Sequence, residues 1–206
     1  MTFTLKADHL YEFAFLGFDA AGDPLDAYLG DLADEARQAG AAGVALLSVT
    51  HVEHADFDAQ SVAIVEWPSA EAHAAFHGRA TWPAAVLAGR NAVAVTVETE
   101  ATVALRRDGR YEFAAFWMNR TNAALNGQYF EAMGPRVRDA APRPLASLQV
   151  AQPVGPLALN PTRFNLLEWT GTPEARDALF TSQEFTEAGY LRALALDRMA
   201  TIMVAP

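Results

Sequence analysis

The sequence predicts an α+β protein made of two similar βαββαβ repeats. The first observation is an internal repeat: Tyr11-Glu12-Phe13-Ala14 recurs as Tyr111-Glu112-Phe113-Ala114, and Val65-Glu66-Trp67 recurs as Leu167-Glu168-Trp169. The second is that further matches keep the same order along both halves of the chain. The third is that strand-like and helix-like runs alternate in the same order within each half, which favours a mixed fold.

The length of 206 residues suits two modules of about 100 residues each. We predict that repeat 1 spans 1–105 and repeat 2 spans 106–206, packed together as one pseudo-dimeric unit. The segment from Arg106 to Gly109 is the predicted linker. Because it is short, the two halves are expected to pack tightly.

In the first half, four runs rich in β-branched, aromatic and apolar residues are predicted strands: Leu10–Phe18, Val44–Val52, Gln60–Trp67 and Ala92–Val97. Asp23-Pro24 predicts a helix start, because Asp favours the N-cap and Pro the first turn, and Gly40 ends that helix. Pro68-Ser69 starts a second helix. Thr81-Trp82-Pro83 is expected to break or kink it, since Pro disfavours helix in the residue before it.

The second half repeats this pattern, with predicted strands at Arg110–Met118, Leu145–Val150, Arg163–Trp169 and Ala200–Val204. A helix is predicted from Asn122 to about Ala140, interrupted at Gly134-Pro135. Thr172-Pro173 opens the next helix as Asp23-Pro24 does, and Phe185 to Leu196 is a further helical stretch.

A βαββαβ module of this ferredoxin-like kind carries its helices on one face of a four-stranded sheet. The other face needs cover, and the simplest cover is the same face of the other half, which would give a barrel. Strand alternation puts Tyr11, Phe13 and Phe15 on one side of the first strand, and we expect these bulky residues to face the helices. Four glutamates are then expected to point into the barrel: Glu12, Glu66, Glu112 and Glu168.

The stretch from Ile64 to Ala72, with Glu66-Trp67-Pro68-Ser69 at its centre, resembles the signature of the DUF1330 family. Ser182-Gln183-Glu184-Phe185 followed by Arg192 is similar to a later helix of that family. The resemblance implies a dimeric α+β barrel in which one chain supplies both halves of the usual dimer. It implies no activity, because the family has none assigned.

Composition excludes several classes of function. The chain has no cysteine, which rules out disulfides, thiolate metal sites and a cysteine nucleophile. Its formal net charge of −10 argues against nucleic acid and anionic membranes as partners, since both attract positive charge. No apolar run is long enough to cross a bilayer, and the N-terminus lacks the pattern of a signal peptide. We therefore expect a cytoplasmic protein, either a monomer or a homodimer.

The candidate catalytic residues are Glu12, Glu66 and His51, because paired carboxylates or a histidine can exchange protons. Glu53 lies two residues from His51 and could orient it. Four further residues are candidates for ligand binding: Glu112, Glu168, Arg90 and Arg192. The competing interpretation is structural, with each glutamate paired to an arginine or bonded to a neighbouring strand.

His73 and His77 lie four residues apart in a predicted helix, a spacing that can hold a metal ion. No HExxH pattern accompanies them, and we expect an exposed pair without a metal. No dinucleotide or phosphate-binding motif is present in the sequence, and no cofactor is predicted.

Three functions remain open. The leading hypothesis is that the protein binds or converts a small apolar or aromatic molecule in a cavity between the two repeats. The alternative is a non-catalytic structural or protein-interaction module whose barrel is filled by side chains. A haem-binding barrel that depends on His51 is the third.

Overall fold

The structure is a computed structural model, and it describes residues 3–17, 33–78, 92–139, 142–154 and 158–205. Its strands are β1 (Phe3–Leu5), β2 (Leu10–Leu16), β3 (Gly43–Glu53), β4 (Ser61–Trp67), β5 (Ala92–Glu98), β6 (Val103–Leu105), β7 (Tyr111–Met118), β8 (Pro142–Val150), β9 (Arg163–Trp169) and β10 (Leu196–Ala205). Its helices are α1 (Ala70–His77), α2 (Ala123–Asp139), α3 (Pro173–Phe180) and α4 (Gln183–Ala195), and residues 33–38 are also helical.

Eight of these strands form one closed barrel in the order β10-β3-β4-β2-β5-β8-β9-β7. Each half contributes a four-stranded antiparallel sheet, β3-β4-β2-β5 from the first and β8-β9-β7-β10 from the second. The sheets join where β5 pairs with β8 and β10 pairs with β3. The chain is therefore a mixed α+β protein in which two ferredoxin-like repeats close a single barrel, as the sequence predicts.

A short ribbon outside the barrel relates the two halves. β1 pairs with β6 so that Leu5 lies opposite Val103, and each of these strands leads into the first barrel strand of its half. The Tyr11 hydroxyl accepts a hydrogen bond from the Lys6 backbone N–H at 2.7 Å, and the Tyr111 hydroxyl accepts one from Arg106 in the same way. Gly109 leaves room for this second tyrosine, because a Cβ there would clash with its hydroxyl oxygen.

The lumen of the barrel is filled by aromatic and aliphatic side chains from both halves. Phe13 contacts Phe113 and Phe164 with ring centroids 5.0 Å and 5.3 Å apart, so rings of the two sheets meet across the axis. Phe15 reaches the same two rings. These side chains are almost wholly buried, and an eight-stranded barrel is just wide enough to be filled in this way.

The prediction that Tyr11, Phe13 and Phe15 face the helices is wrong, because all three point into the lumen. Glu12 and Ala14 occupy the helix-facing side of β2 instead. The reason is volume: a lumen closed by two sheets needs large side chains to fill it, whereas small residues such as Ala14 and Ala63 let helices pack closely on the outside. On β4, by contrast, the bulky Trp67 does face the helices.

The helices α1 and α3 begin where the sequence predicts, whereas α2 continues past its predicted interruption. Ser69 and Thr172 cap α1 and α3, and their side-chain oxygens accept hydrogen bonds from Ala72 and Ala175. The predicted interruption at Gly134-Pro135 is wrong, because α2 runs through Pro135. The predicted features at Asp23-Pro24 and Thr81-Trp82-Pro83 lie outside the described residues. Within the described ranges, no helix combines the length and the apolar character needed to span a membrane.

Candidate functional site

Glu12 and Glu112 occupy equivalent positions on the outer faces of the two sheets, beneath the helices. Glu12 lies on β2 opposite Val65 of β4, and Glu112 lies on β7 opposite Leu167 of β9. Each is almost fully buried, and each accepts a hydrogen bond from the indole N–H of a tryptophan on the neighbouring strand. The distances are 3.3 Å from Trp67 Nε1 to Glu12 Oε2 and 2.8 Å from Trp169 Nε1 to Glu112 Oε2.

In the first half, α1 completes a buried polar group that we call the Glu12 cluster: Glu12, Trp67, His73 and His77. The two histidines are four residues apart, so they share the helix face that packs on the sheet. Both imidazoles reach one oxygen of the glutamate, with Nε2 of His73 at 3.1 Å and Nε2 of His77 at 3.0 Å from Glu12 Oε2. The expectation of an exposed histidine pair is wrong, since their side chains are only 2% and 5% exposed.

The pKa of Glu12 reflects a competition between burial and its partners. Burial raises the pKa of the Glu12 carboxyl. The hydrogen bonds from His73 and His77, together with their charge, outweigh this effect and lower the pKa to about 2. Glu12 is therefore a carboxylate at neutral pH, despite being almost fully buried.

In the second half, Glu112 lies in an apolar cavity of about 180 Å³, which we call the Glu112 cavity. Its floor is the outer face of β7 and β9, where Ala114, Phe116 and Asn165 lie beside Glu112. Its roof comes from three helices and includes Tyr129, Phe130, Met133, Leu179, Phe180 and Phe185. The cavity thus combines an apolar, aromatic lining with one buried carboxyl.

The electrostatics of Glu112 are opposite to those of Glu12. Burial raises the pKa of Glu112, and the indole of Trp169 and the charge of Arg176 only partly offset this effect. Burial also raises the pKa of Tyr129 in the cavity roof, where Arg192 acts in the opposite direction. A carboxyl with a raised pKa in an apolar site is a feature of groups that exchange protons in catalysis.

The difference between the halves comes from two positions in the helix that follows the tryptophan. Counted from the N-caps Ser69 and Thr172, His73 corresponds to Arg176 and His77 corresponds to Phe180. The Arg176 guanidinium lies 4.4 Å from the centroid of the Phe180 ring, and its Nη2 lies 3.1 Å from Oε2 of Glu53. In the second half, the two histidines that contact Glu12 are thus replaced by an aromatic ring and by an arginine that pairs with Glu53.

The other two predicted glutamates lie on the lumen side of their strands, near one end of the barrel. Glu66 is paired with Lys6 and His9, whose Nζ and Nδ1 atoms each lie 2.7 Å from Glu66 Oε1. Glu168 is paired with Arg106 and Arg143. The prediction that all four glutamates point inward is therefore right for Glu66 and Glu168 and wrong for Glu12 and Glu112. Because Glu66 and Glu168 are paired with cations, the structural interpretation suits them best.

Of the remaining predicted residues, His51 lies apart from both sites, whereas Arg192 contacts Phe185 and Tyr129 in the roof of the Glu112 cavity. His51 is exposed on β3, with its Nε2 4.0 Å from Oε2 of Glu53, and it borders a surface cleft with Arg110 and Arg176. The Arg192 guanidinium packs on Phe185, 4.9 Å from the ring centroid. Arg90 lies outside the described residues.

The spacing of His73 and His77 is evident from the sequence, whereas their shared partner, Glu12, was not predicted. Glu12 is more than sixty residues away in the chain, and only the packing of α1 on β2 brings the three together. One signal was available: the pairs Glu12/Trp67 and Glu112/Trp169 repeat together. A repeated polar residue with a repeated hydrogen-bond donor indicates a contact that both halves keep.

Comparison with solved structures confirms the fold. No family model matches the chain, so the resemblance to DUF1330 is not confirmed, and no curated protein matches it. A solved structure described as an anthrone oxidase-like protein is similar over 100% of this chain and 95% of its own, with a TM-score of 0.60 and 12% identity. A mutant chlorite dismutase from Candidatus Nitrospira defluvii is similar over 98% of this chain and 93% of its own, with a TM-score of 0.48 and 10% identity. The protein has the dimeric α+β barrel fold.

Proposed function

We propose that this protein binds a small aromatic molecule in the Glu112 cavity and exchanges a proton with it through Glu112. The observation that carries the proposal is a buried carboxyl of raised pKa on the floor of an apolar cavity. This moves the ligand site from the predicted space between the sheets, which phenylalanine rings occupy, to the space between one sheet and its helices.

The size of the cavity limits the ligand to one aromatic ring with small substituents. An apolar cavity of roughly 150 Å³ is enough to hold benzene, and the Glu112 cavity measures about 180 Å³. The rings of Phe130, Phe180 and Phe185 offer edge and face contacts to such a ligand.

The polar groups favour a ligand that carries a hydroxyl. Glu112 is available as a carboxylate above its raised pKa and can then accept the proton of a phenolic O–H, leaving a phenolate beside the indole N–H of Trp169. Below that pKa the protonated carboxyl donates instead. A phenol is therefore a better match than a purely apolar ring of the same size.

The test is a binding titration with phenol and with toluene, followed by calorimetry. Wild-type protein is expected to bind both ligands. Glu112→Leu should retain toluene and bind phenol roughly tenfold or more weakly, because a hydrogen bond to a charged acceptor is lost. Glu168→Gln, in the same half but outside the cavity, is the matched control and should bind both as wild type does. Equal phenol affinity in wild type and Glu112→Leu would overturn the proposal.

A filled-barrel module that binds a protein partner is the second candidate, and the filled lumen favours it. That candidate also needs a contiguous apolar patch outside the barrel. Within the described ranges, the exposed large apolar side chains are Leu46 on β3 and Tyr190 on α4, which belong to different halves. Absence of any aromatic binding in the titration would favour this candidate.

A further inference from the structure

We propose that the Glu12 cluster is a binding site for a divalent transition-metal ion of the Zn²⁺ class, with Glu12, His73 and His77 as its ligands. This site lies in the first half and is independent of the Glu112 cavity. One ligand atom from each of the three residues lies within 4.8 Å of the other two.

The spacing of these atoms is close to what a metal requires. Bonds of about 2.0–2.1 Å in a tetrahedral site place neighbouring ligand atoms roughly 3.3 Å apart. Glu12 Oε2 lies 3.1 Å from His73 Nε2 and 3.0 Å from His77 Nε2, so small side-chain shifts would admit an ion. The Nε2 atoms of both histidines thus lie beside the same carboxylate oxygen.

The donor types select the class of metal. Two imidazoles and one carboxylate suit Zn²⁺ and its neighbours, whereas Mg²⁺ and Ca²⁺ prefer oxygen ligands. Two histidines and one glutamate also form the three-ligand set that catalytic zinc sites take from a protein, with the fourth position left for water or substrate. The described residues supply that set and no fourth carboxylate or imidazole beside it.

The surroundings hold the ligands in place. Trp67 donates its indole N–H to Glu12 and packs against the rings of His73 and Phe76. Hydrogen bonds of this kind orient ligating carboxylates and strengthen metal binding. The second half keeps the glutamate and the tryptophan but has Arg176 and Phe180 in place of the histidines, so we expect one metal ion per chain.

The test is a Co²⁺ titration of chelator-treated protein, read from visible absorption, with Zn²⁺ added as competitor. Wild-type protein should bind one Co²⁺ per chain, show the strong bands of a low-coordinate site and lose them to Zn²⁺. His73→Gln/His77→Gln should raise the dissociation constant by more than roughly 100-fold. His51→Gln/His54→Gln removes two exposed histidines instead, and this matched control should bind as wild type does.

The folding of each variant is checked by circular dichroism. If the double variant does not fold, Glu12→Gln takes its place and should weaken Co²⁺ binding at least roughly tenfold. The proposal is wrong if wild-type protein takes up no Co²⁺, or if a folded variant of the cluster binds it as tightly as wild type. Phenol binding in the second half is unaffected by either result, so the two proposals stand or fall separately.

Discussion

Glu12 and Glu112 occupy the same position in the two halves, yet the pKa of Glu12 is lowered to about 2 and the pKa of Glu112 is raised. Both carboxyls are buried and both accept an indole N–H. The difference comes from the helix above each of them, which offers two imidazoles to Glu12 and an apolar cavity to Glu112. The two halves thus shift the pKa of the same position in opposite directions.

Neutralising Glu112 should stabilise the protein at high pH. The folded-state pKa of this carboxyl lies above its unfolded value, so its contribution to stability is fully present at low pH and is lost as the pH rises through the folded pKa. Glu112→Gln removes that loss, and we expect a melting temperature roughly 2–4 °C above wild type at pH 8. At pH 4 the difference should disappear. Thermal melts of both proteins across this range measure it, and a lower melting temperature for the variant at pH 8 contradicts the account.

Neutralising Glu168 should change the melting temperature in the opposite direction and destabilise the protein at high pH. Burial raises the pKa of Glu168, but hydrogen bonds and charge from Arg143 and Arg106 outweigh it, and the net pKa is lowered. The stability contributed is present above the unfolded pKa and is lost as the pH falls through the folded one. Glu168→Gln should therefore melt a few degrees below wild type at pH 8, roughly in line with the loss of one charge-assisted pair. The deficit should shrink as the pH falls below 4, and a variant that melts like wild type at pH 8 would show that the pair contributes nothing.

Filling the Glu112 cavity should abolish ligand binding without unfolding the protein. Ala114 lies on the cavity floor, and Ala114→Leu adds three carbons to the space that the ligand would occupy. We expect no measurable phenol or toluene binding by calorimetry, with a gain in stability of up to about 2 kcal/mol from added apolar burial. Leu46→Ala, at an exposed position on β3 of the other half, is the control for ligand binding. Retained toluene binding in Ala114→Leu would place the ligand elsewhere.

Removing the indole that supports Glu12 should weaken metal binding. Trp67→Phe keeps an aromatic ring against His73 but deletes the N–H that donates to Glu12 Oε2. The loss of such a supporting hydrogen bond typically raises a metal dissociation constant by roughly 10–100-fold. Trp169→Phe deletes the equivalent N–H in the second half and should leave Co²⁺ affinity unchanged. Equal weakening by both variants would point to a general loss of stability.

Truncating a ring in the lumen should destabilise the protein strongly. Phe13 is completely buried and contacts rings from the other half. Phe13→Ala should lower the free energy of unfolding by about 3–5 kcal/mol, as large-to-small changes of buried aromatics do. Phe57→Ala serves as a comparison, since Phe57 is only partly buried and packs at the margin of the same cluster. Urea unfolding measures both, and a loss below that of Phe57→Ala would show that the lumen is loosely packed.

Much of the fold follows from local sequence patterns. The strand runs, the caps at Ser69 and Thr172 and the internal repeat all act over short distances or recur in the chain, so they can be recognised directly. The continuation of α2 through Pro135 could not be recognised in this way, because tertiary packing overrides the low helix propensity of proline. Tyr129 and Met133 are buried before the proline, and Arg136 pairs with Glu184 of α4 after it.

The candidate sites were harder to predict than the fold. Alternation shows that Glu12 and Phe13 lie on opposite sides of β2, but not which side faces the lumen, because that depends on closure of the barrel by the other half. The pairing of Glu12 with His73 and His77 depends on the same choice. The Glu112 cavity depends on three helices whose packing has no signature in the sequence.

The most direct test that the two halves carry separate sites is to record ¹H–¹⁵N spectra of the tryptophan indole groups before and after adding phenol or Zn²⁺. Trp→Phe variants assign the signals. We expect phenol to shift the indole signal of Trp169 and to leave that of Trp67 in place, and we expect Zn²⁺ to do the reverse. Signals that stay unmoved with both additions, or that move together with either one, would contradict it.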